Sequence, residues 1–360
     1  MKAYQVEEPG KPLVCNEVET PNPQGKEVLV KTISCGVCHS DVHIHEGAFN
    51  LGGGNKLELP LERPYTLGHE VFGEVIACGD DATVEIGSKF VVYPWIGCGE
   101  CELCKKGDEH LCNLAQNIGV QMPGGFGDHI LVPDQKYLHE AGDIEPHLAG
   151  SYACSGLTAY SALKKGLPYS SDNKAIILGV GGVGMMGLQI AKSAFNVNPI
   201  VIDVDDEKLE IALSNGASKA FNSTKEESLM EILEHTEGGA MTLIDFVGSE
   251  LSVGFGTNLL AKGGKYIIVG LYGGELKMPL PLIPIMERTI QGSYVGSPGD
   301  MEELMELVRA SYYGYFQVVL EQLPPVEAGF VSALRGPGLG TKLRDDFLTS
   351  DDVTIRRSSL

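Results

Sequence analysis

The sequence predicts an α/β protein built on a doubly wound parallel sheet, with a second domain, and three observations carry that expectation. The first is Gly179-Val180-Gly181-Gly182-Val183-Gly184, placed between an apolar run at 175–178 and a helix-like segment at 185–194. The second is another apolar run at 200–202 that ends on Asp203, about 20 residues beyond the glycines, completing a strand–helix–strand unit. The third is the recurrence of apolar runs at 243–247 and 266–269, alternating with helical patterns such as 208–215, the signature of a parallel sheet with crossover helices. At 360 residues the chain exceeds the size at which one core usually keeps growing, so two domains are expected.

A glycine triplet alone is as readily an ordinary turn. After a strand and opening a helix, it lets the backbone approach a pyrophosphate, which the helix N-terminus then holds through its free N–H groups and dipole. Gly179, Gly181, Gly182, Val183 and Gly184 are therefore candidate cofactor contacts, with Asp203 placed to reach the adenosine ribose. An acid at that tip repels a 2′-phosphate, and no arginine follows it before Arg288, which favours NAD over NADP. Val269, Gly270 and Leu271 end a later strand, where an open parallel sheet places its ligands, and are candidates for backbone contacts to a nicotinamide carboxamide.

Composition narrows the class. Hydrophobic residues at 43% and charged residues at 21% are those of a soluble globular protein, and no run approaches a membrane span. A net charge of −21 argues against nucleic acid or an anionic membrane as partner, because each phosphate contact needs a neutralising cation. The N-terminus, residues 1–8, carries no apolar signal core, so a cytoplasmic location is the default. Nine cysteines in such a chain are expected as thiols or metal ligands rather than disulfides.

Residues 1–34 read as short extended segments with no chemistry of their own. The stretch from Gly36 to His43 is dense in ligand types, and Gly68-His69-Glu70 follows, with His69 thirty-one positions after Cys38. A thiolate and an imidazole from separate segments can share a zinc, and Cys154, just ahead of the nucleotide unit, is the candidate third ligand. Each residue taken singly reads equally well as a buried small or hydrogen-bonded group. Cys98, Cys101, Cys104 and Cys112 form Cys-x2-Cys-x2-Cys-x7-Cys, a spacing that suits tetrahedral structural zinc with no open position. An iron–sulfur cluster is the rival; the ferredoxin-type run has a shorter last gap and a following proline, where Asn113 stands here. Cys15, Cys35 and Cys78 have no assigned role.

A four-cysteine lobe, a Cys…His…Cys set and the glycine fingerprint, in this order, resemble the zinc-containing medium-chain alcohol dehydrogenases over about residues 25–300. The resemblance implies a mostly-β GroES-like catalytic domain over 1–155, completed by 299–360, and a Rossmann domain over 156–298. It implies Cys38, His69 and Cys154 as catalytic zinc ligands and Glu70 as the glutamate beside the metal. It further implies Asp41 as the carboxylate orienting the ligand histidine, and Ser40 with His43 as a proton relay. His39 would reach the pyrophosphate, Thr158 the nicotinamide and Lys208 the ribose, while Tyr93 and Trp95 would shape an apolar pocket. The implied cofactors are NAD and two Zn2+ per chain, and the implied assembly is a homodimer or homotetramer.

The chemistry follows from the parts. Zinc is a Lewis acid that lowers the pKa of an alcohol, and a hydride can then pass to a nicotinamide, giving reversible oxidation of primary or secondary alcohols to aldehydes or ketones. Rival readings are a zinc dehydrogenase for a polyol or a hydroxyacyl thioester, and a catalytically silent NAD-binding structural or regulatory protein. Two stretches depart from the family pattern. A Gly-rich insertion at 50–61 reads either as a border of the substrate entrance or as a solvated surface loop, and beyond the helical pattern at 326–334 the Gly-Pro-Gly run at 336–340 leads into a weakly patterned tail.

Overall fold

A computed structural model describes residues 1–59, 61–167 and 174–311 of the chain. In chain order the elements begin β1 (Lys2–Val6), β2 (Val14–Glu17), β3 (Val28–Gly36), α1 (His39–Glu46), β4 (Ala48–Gly52), β5 (Asn55–Glu58), β6 (Tyr65–Thr66), β7 (Glu70–Cys78) and β8 (Lys89–Val92). They continue α2 (Glu102–Lys105), β9 (His129–Val132), β10 (Leu138–Glu140), α3 (Pro146–Ala149) and α4 (Ser155–Gly166). Then come β11 (Ala175–Leu178), α5 (Gly182–Phe195), β12 (Ile200–Asp203), α6 (Asp206–Ser214), β13 (Lys219–Asn222) and α7 (Ser228–His235). The last are β14 (Ala240–Asp245), α8 (Glu250–Thr257), β15 (Leu260–Ile268), α9 (Leu282–Ile285), β16 (Thr289–Gly292) and α10 (Pro298–Ser311). No helix among the described residues is long and apolar enough to cross a membrane.

Contacts divide the described residues into two units, the first comprising 1–48, 58–157 and the segment from Ser297 onward. Its strands form a five-stranded sheet in the order β10-β8-β7-β3-β9 and a three-stranded sheet β2-β1-β6, with antiparallel pairings throughout. Strands β3 and β7 run together over most of their length, and their ends carry the ligand-bearing segments: Gly36 closes β3 just ahead of Cys38, and Glu70 opens β7 just after His69. Val28, Val30, Val71 and Val75 of this pair are buried in the core of the unit.

The second unit comprises 49–57 and 158–296. Its six strands are parallel in the order β13-β12-β11-β14-β15-β16. Strands β11 and β12 are wholly buried and nearly all aliphatic, as in a parallel sheet covered on both faces. The core gathers Ile176, Ile200, Leu243, Leu260 and Tyr266. The apolar run at 243–247 leaves the ladder early, because the Asp245 carboxylate takes the N–H groups of Val247 and Gly248 and turns the chain.

The insertion at 50–61 is not an unstructured loop. Through residue 58 it is the two-stranded ribbon β4–β5, and residues 49–57 group with the second unit rather than with the flanking first. Asn50 and Gly52 lie directly against the Gly273-Gly274 backbone. The sequence patterns at 326–334 and 336–360 lie outside the described residues.

Candidate metal centres and dinucleotide crevice

Cys38 precedes the first residue of α1, and Asp41, one turn on, accepts the Cys38 N–H through Oδ2 at 2.8 Å, the reciprocal capping that fixes a helix start. The other oxygen of Asp41 accepts the Gly68 N–H at 3.2 Å and stands 3.2 Å from His69 Nδ1. One buried carboxylate thus holds two ligand-bearing segments in register. The third ligand precedes α4, where the Trp95 indole N–H donates to the Ala153 carbonyl at 3.0 Å and its ring lies 5.3 Å from that of His69.

These constraints bring the donor atoms of Cys38, His69 and Cys154 within 4.8 Å of one another, with the two sulfurs 3.9 Å apart. Two sulfurs on one tetrahedral zinc, with bonds near 2.3 Å, sit about 3.8 Å apart. His69 is fully buried, yet its Nε2 has no hydrogen-bond partner, a cost that native interiors avoid unless a ligand takes the atom. The donor set therefore fits a zinc with three protein ligands and one open position. The Cys154 thiol, hydrogen-bonded to Cys38, holds the Cys38 thiol well below its usual range, against the effect of burial.

Glu70 follows His69 and is buried. Its Oε1 accepts from the Ser155 hydroxyl at 2.7 Å and from the Ser155 N–H at 3.0 Å. Burial, and then the charge of Cys38, push its carboxyl up to about 8. A side chain at Gly36 would begin 2.0 Å from Glu70 Oε2, so only glycine lets β3 run beneath this acid. Ser155 does not stand out in the sequence, its only signal being adjacency to Cys154, and Gly36 reads there only as the start of the ligand-rich stretch.

Ser40 and His43 are half-buried and one turn apart on α1, hence on one face of the helix. The His39 and His43 rings lie 4.8 Å apart. Burial, and then His39, hold the His43 imidazole below its ordinary 6.5. Tyr93 is wholly buried and stacked on Tyr137 at 6.0 Å, so of the two aromatics it is Trp95 that packs on a metal-ligand candidate.

Cys98, Cys101, Cys104 and Cys112 also converge, their sulfurs within 4.8 Å of one another. Cys112 Sγ accepts the N–H groups of Cys98 at 3.4 Å and Leu114 at 3.3 Å, which suits a thiolate. Glu109 ties the lobe down: it accepts from the Tyr137 hydroxyl at 2.6 Å, from Lys136 at 2.7 Å and from the Gly97 N–H at 3.3 Å. The described cysteines, Cys15, Cys35 and Cys78 included, are all free thiols.

In the second unit the fingerprint occupies the turn from β11 into α5. Gly179 takes φ +86°, a conformation L side chains rarely adopt, and Gly181 caps the helix. The first N–H groups of α5 have no carbonyl one turn back and face outward from the helix start. Asp203 ends β12 with its Oδ2 accepting the Val180 N–H at 2.8 Å, and Oδ1 accepting those of Val204 and Asp205 at 2.8 and 3.2 Å. The acid is thereby fixed beside the fingerprint. Lys208 lies in the first turn of α6, Thr158 on α4, and Val269, Gly270 and Leu271 immediately beyond β15.

Two family models match the chain, one in each half. Residues 24–143 match the alcohol dehydrogenase GroES-like domain, and residues 182–310 match the zinc-binding dehydrogenase domain. The chain is 37% identical over 314 residues to the NAD-dependent alcohol dehydrogenase of Sulfurisphaera tokodaii, covering 86% of this chain and 90% of that one. It is 30% identical to the D-arabinose 1-dehydrogenase (NADP(+)) of Saccharolobus solfataricus, covering 85% of this chain and 86% of that one. Among solved structures, the alcohol dehydrogenase of Aeropyrum pernix superimposes with a TM-score of 0.77 at 30% identity, covering 86% of this chain and 90% of that one.

Proposed function

The chain belongs to the zinc-containing medium-chain dehydrogenase/reductase family, and we propose that within it this protein catalyses the NAD-dependent, reversible oxidation of primary or secondary alcohols to aldehydes or ketones. The observation that carries the reading is the buried Cys38–His69–Cys154 cluster, with a His69 Nε2 that has no partner in the protein. Zinc held there would supply a Lewis acid for the oxygen of an alcohol or carbonyl, and NAD at the fingerprint would supply the hydride acceptor.

The chain's own residues do the rest. Asp41 keeps the His69 ring oriented with Nε2 toward the two sulfurs, and the buried Trp95 ring packs beside it. Ser40 and His43 carry the alcohol proton outward, the hydroxyl passing it to an imidazole held below its ordinary 6.5 and therefore mostly neutral at neutral pH. Glu70, held by Ser155, keeps a largely protonated carboxyl beside the ligands at neutral pH when no metal is bound. The cysteine lobe, with four donors and no open position, takes a structural zinc.

On the cofactor side, the α5 N-terminus takes the pyrophosphate and Asp203 the ribose. The Asp203 carboxylate disfavours a 2′-phosphate, which supports NAD although the D-arabinose relative carries NADP in its name. His39, Thr158, Lys208, Val269, Gly270 and Leu271 complete the cofactor contacts. Edge strand β16 and the exposed Leu280 and Ile285 of the same unit support a homodimer or homotetramer. Free thiols suit the reducing cytoplasm.

The test is zinc content per chain with NAD reduction on a panel of alcohols, for the wild type and Cys154→Ala. One zinc for each of the two clusters is expected in the wild type, falling by one in the variant with loss of turnover. A wild type with one zinc and no alcohol-dependent NAD reduction would overturn the reading.

A further inference from the structure

Asp245 closes β14 and is wholly buried, and the reading above gives it no task. Four neutral donors converge on it. Oδ1 accepts the N–H groups of Val247 at 2.8 Å and Gly248 at 3.0 Å, while Oδ2 accepts the hydroxyls of Ser252 at 2.8 Å and Tyr266 at 2.9 Å. A carboxylate is a costly group to bury without a cation, and one oxygen of this one is given wholly to a single turn, residues 246–249, while the other takes hydroxyls from α8 and β15.

The place of that turn in the sheet is informative. From β11 the chain winds outward to β12 on one side, whereas β14 lies on its other side and leads to β15, so the topological switch point falls between the ends of β11 and β14. Open parallel sheets hold their ligands outside the strand ends at that point. The turn is wedged there between two segments assigned to the cofactor. Toward the fingerprint, a side chain on Gly179 would begin 2.5 Å from Val247 Cγ2. Toward the other segment, a side chain on Gly248 would begin 1.8 Å from the Gly270 oxygen, and the Asp245 carbonyl itself accepts the N–H groups of Val269 at 2.9 Å and Gly270 at 3.1 Å. Movement of the turn must therefore displace one of the two segments.

We propose that Asp245 is a positioning residue for dinucleotide binding: its carboxylate fixes the 246–249 turn that spaces the glycine fingerprint from residues 269–271. The proposal rests on the dinucleotide reading and adds to it a residue that does not touch the cofactor. Asparagine can nearly replace it. Its oxygen keeps the two turn N–H groups, and its amide can donate to the two hydroxyls, which have other acceptors in the Ser249 carbonyl at 3.0 Å and the Ser252 carbonyl at 3.3 Å. Alanine removes the acceptor of two half-buried backbone donors.

The experiment is NADH binding to the zinc-replete full chain by fluorescence titration, with melting temperatures, for the wild type, Asp245→Ala, Asp245→Asn and Thr236→Val. Thr236 is equally buried but lies ahead of β14, at its opposite end, where it bonds the Ile232 carbonyl. Asp245→Ala is expected to raise the NADH Kd by about tenfold or more, the effect of releasing both N–H groups that hold a binding turn. Asp245→Asn should stay within about threefold of wild type, and Thr236→Val should lower the melting temperature with Kd unchanged. If Asp245→Ala melts earlier but binds NADH as the wild type does, the residue is merely structural and the proposal fails. If Asp245→Ala does not fold, Tyr266→Phe, which removes one donor from Oδ2, decides by whether Kd rises without change in the KM for alcohol. Failure of the wild type to bind NADH would instead overturn the dinucleotide reading, and the proposal with it.

Discussion

The two cysteine-bearing clusters of the first unit are built on opposite plans. The lobe draws its sulfurs from one short stretch, Cys98 and Cys112 being only 14 positions apart, so turns within that stretch are enough to assemble it. The other cluster joins Cys38 to Cys154 across 116 positions and needs a helix cap, a strand start and the approach to a second helix to be placed correctly. The first is local and has four donors. The second is distributed and has three, a number that would leave a tetrahedral metal one open coordination position. A closed local site can hold a loop together without reacting, whereas an open site needs a rigid frame, because a misplaced ligand cannot be corrected by a neighbour.

The strongest way to break this comparison is to remove one sulfur from each cluster. Cys154→Ala should abolish turnover, by about a thousandfold or more, because several kcal/mol of transition-state stabilisation leave with the metal. Cys104→Ser should lower the melting temperature and zinc content while leaving NAD reduction measurable at low temperature, as read by parallel melting curves and rates. Loss of both metals in the Cys104 variant would show that the clusters are not independent.

A smaller effect should follow from Asp41→Asn, which keeps the shape but weakens the carboxylate that aligns His69 and caps Cys38. Metal affinity at the distributed site should fall by about 10- to 100-fold, measured by competition with a chelator, with the lobe unaffected. His43→Ala removes no donor from either cluster. Because burial and His39 hold this imidazole below its ordinary 6.5, the wild type's kcat/KM for oxidation should be full at neutral pH and fall as acid protonates the ring. The variant should lose about a hundredfold in rate, with that inflection gone from the pH profile.

The smallest effect is expected beneath the lobe. The Lys136 and Tyr137 hydrogen bonds hold Glu109 below the usual carboxylate range despite burial. A carboxyl depressed in the folded state adds stability above its unfolded pKa and loses it as pH falls through the folded value. Glu109→Gln should therefore cost about 1–2 kcal/mol at neutral pH, and less in acid, where the wild type loses the same contribution. Urea titrations at the two pH values check it.

Much of the molecule was legible because its signals are local. The glycine fingerprint, Asp203, the four-cysteine spacing and the Cys38 segment are strings of neighbouring residues whose chemistry depends on backbone freedom and ligand spacing, both written along the chain. The strands at 175–178 and 200–203 could be read to the residue because a doubly covered parallel strand is apolar without interruption. The end of β14 could not, since periodicity does not reveal that Asp245 will capture two N–H groups beyond it. The ribbon at 48–58 was also hidden, because its partner backbone at 273–274 lies more than two hundred positions away.

The sequence by itself determined which groups are available: a sulfur-rich lobe, three further candidate metal donors, a glycine turn between strand and helix and an acid to follow it. Tertiary structure alone decided which of them meet and what holds them, namely Asp41 bridging two segments, Ser155 on Glu70, Gly36 beneath that acid and Asp245 within its four donors. The physical reason is range. Propensity and spacing act over a few residues and leave a trace in the chain, whereas a hydrogen bond or close backbone contact between distant segments exists only once packing has brought them together.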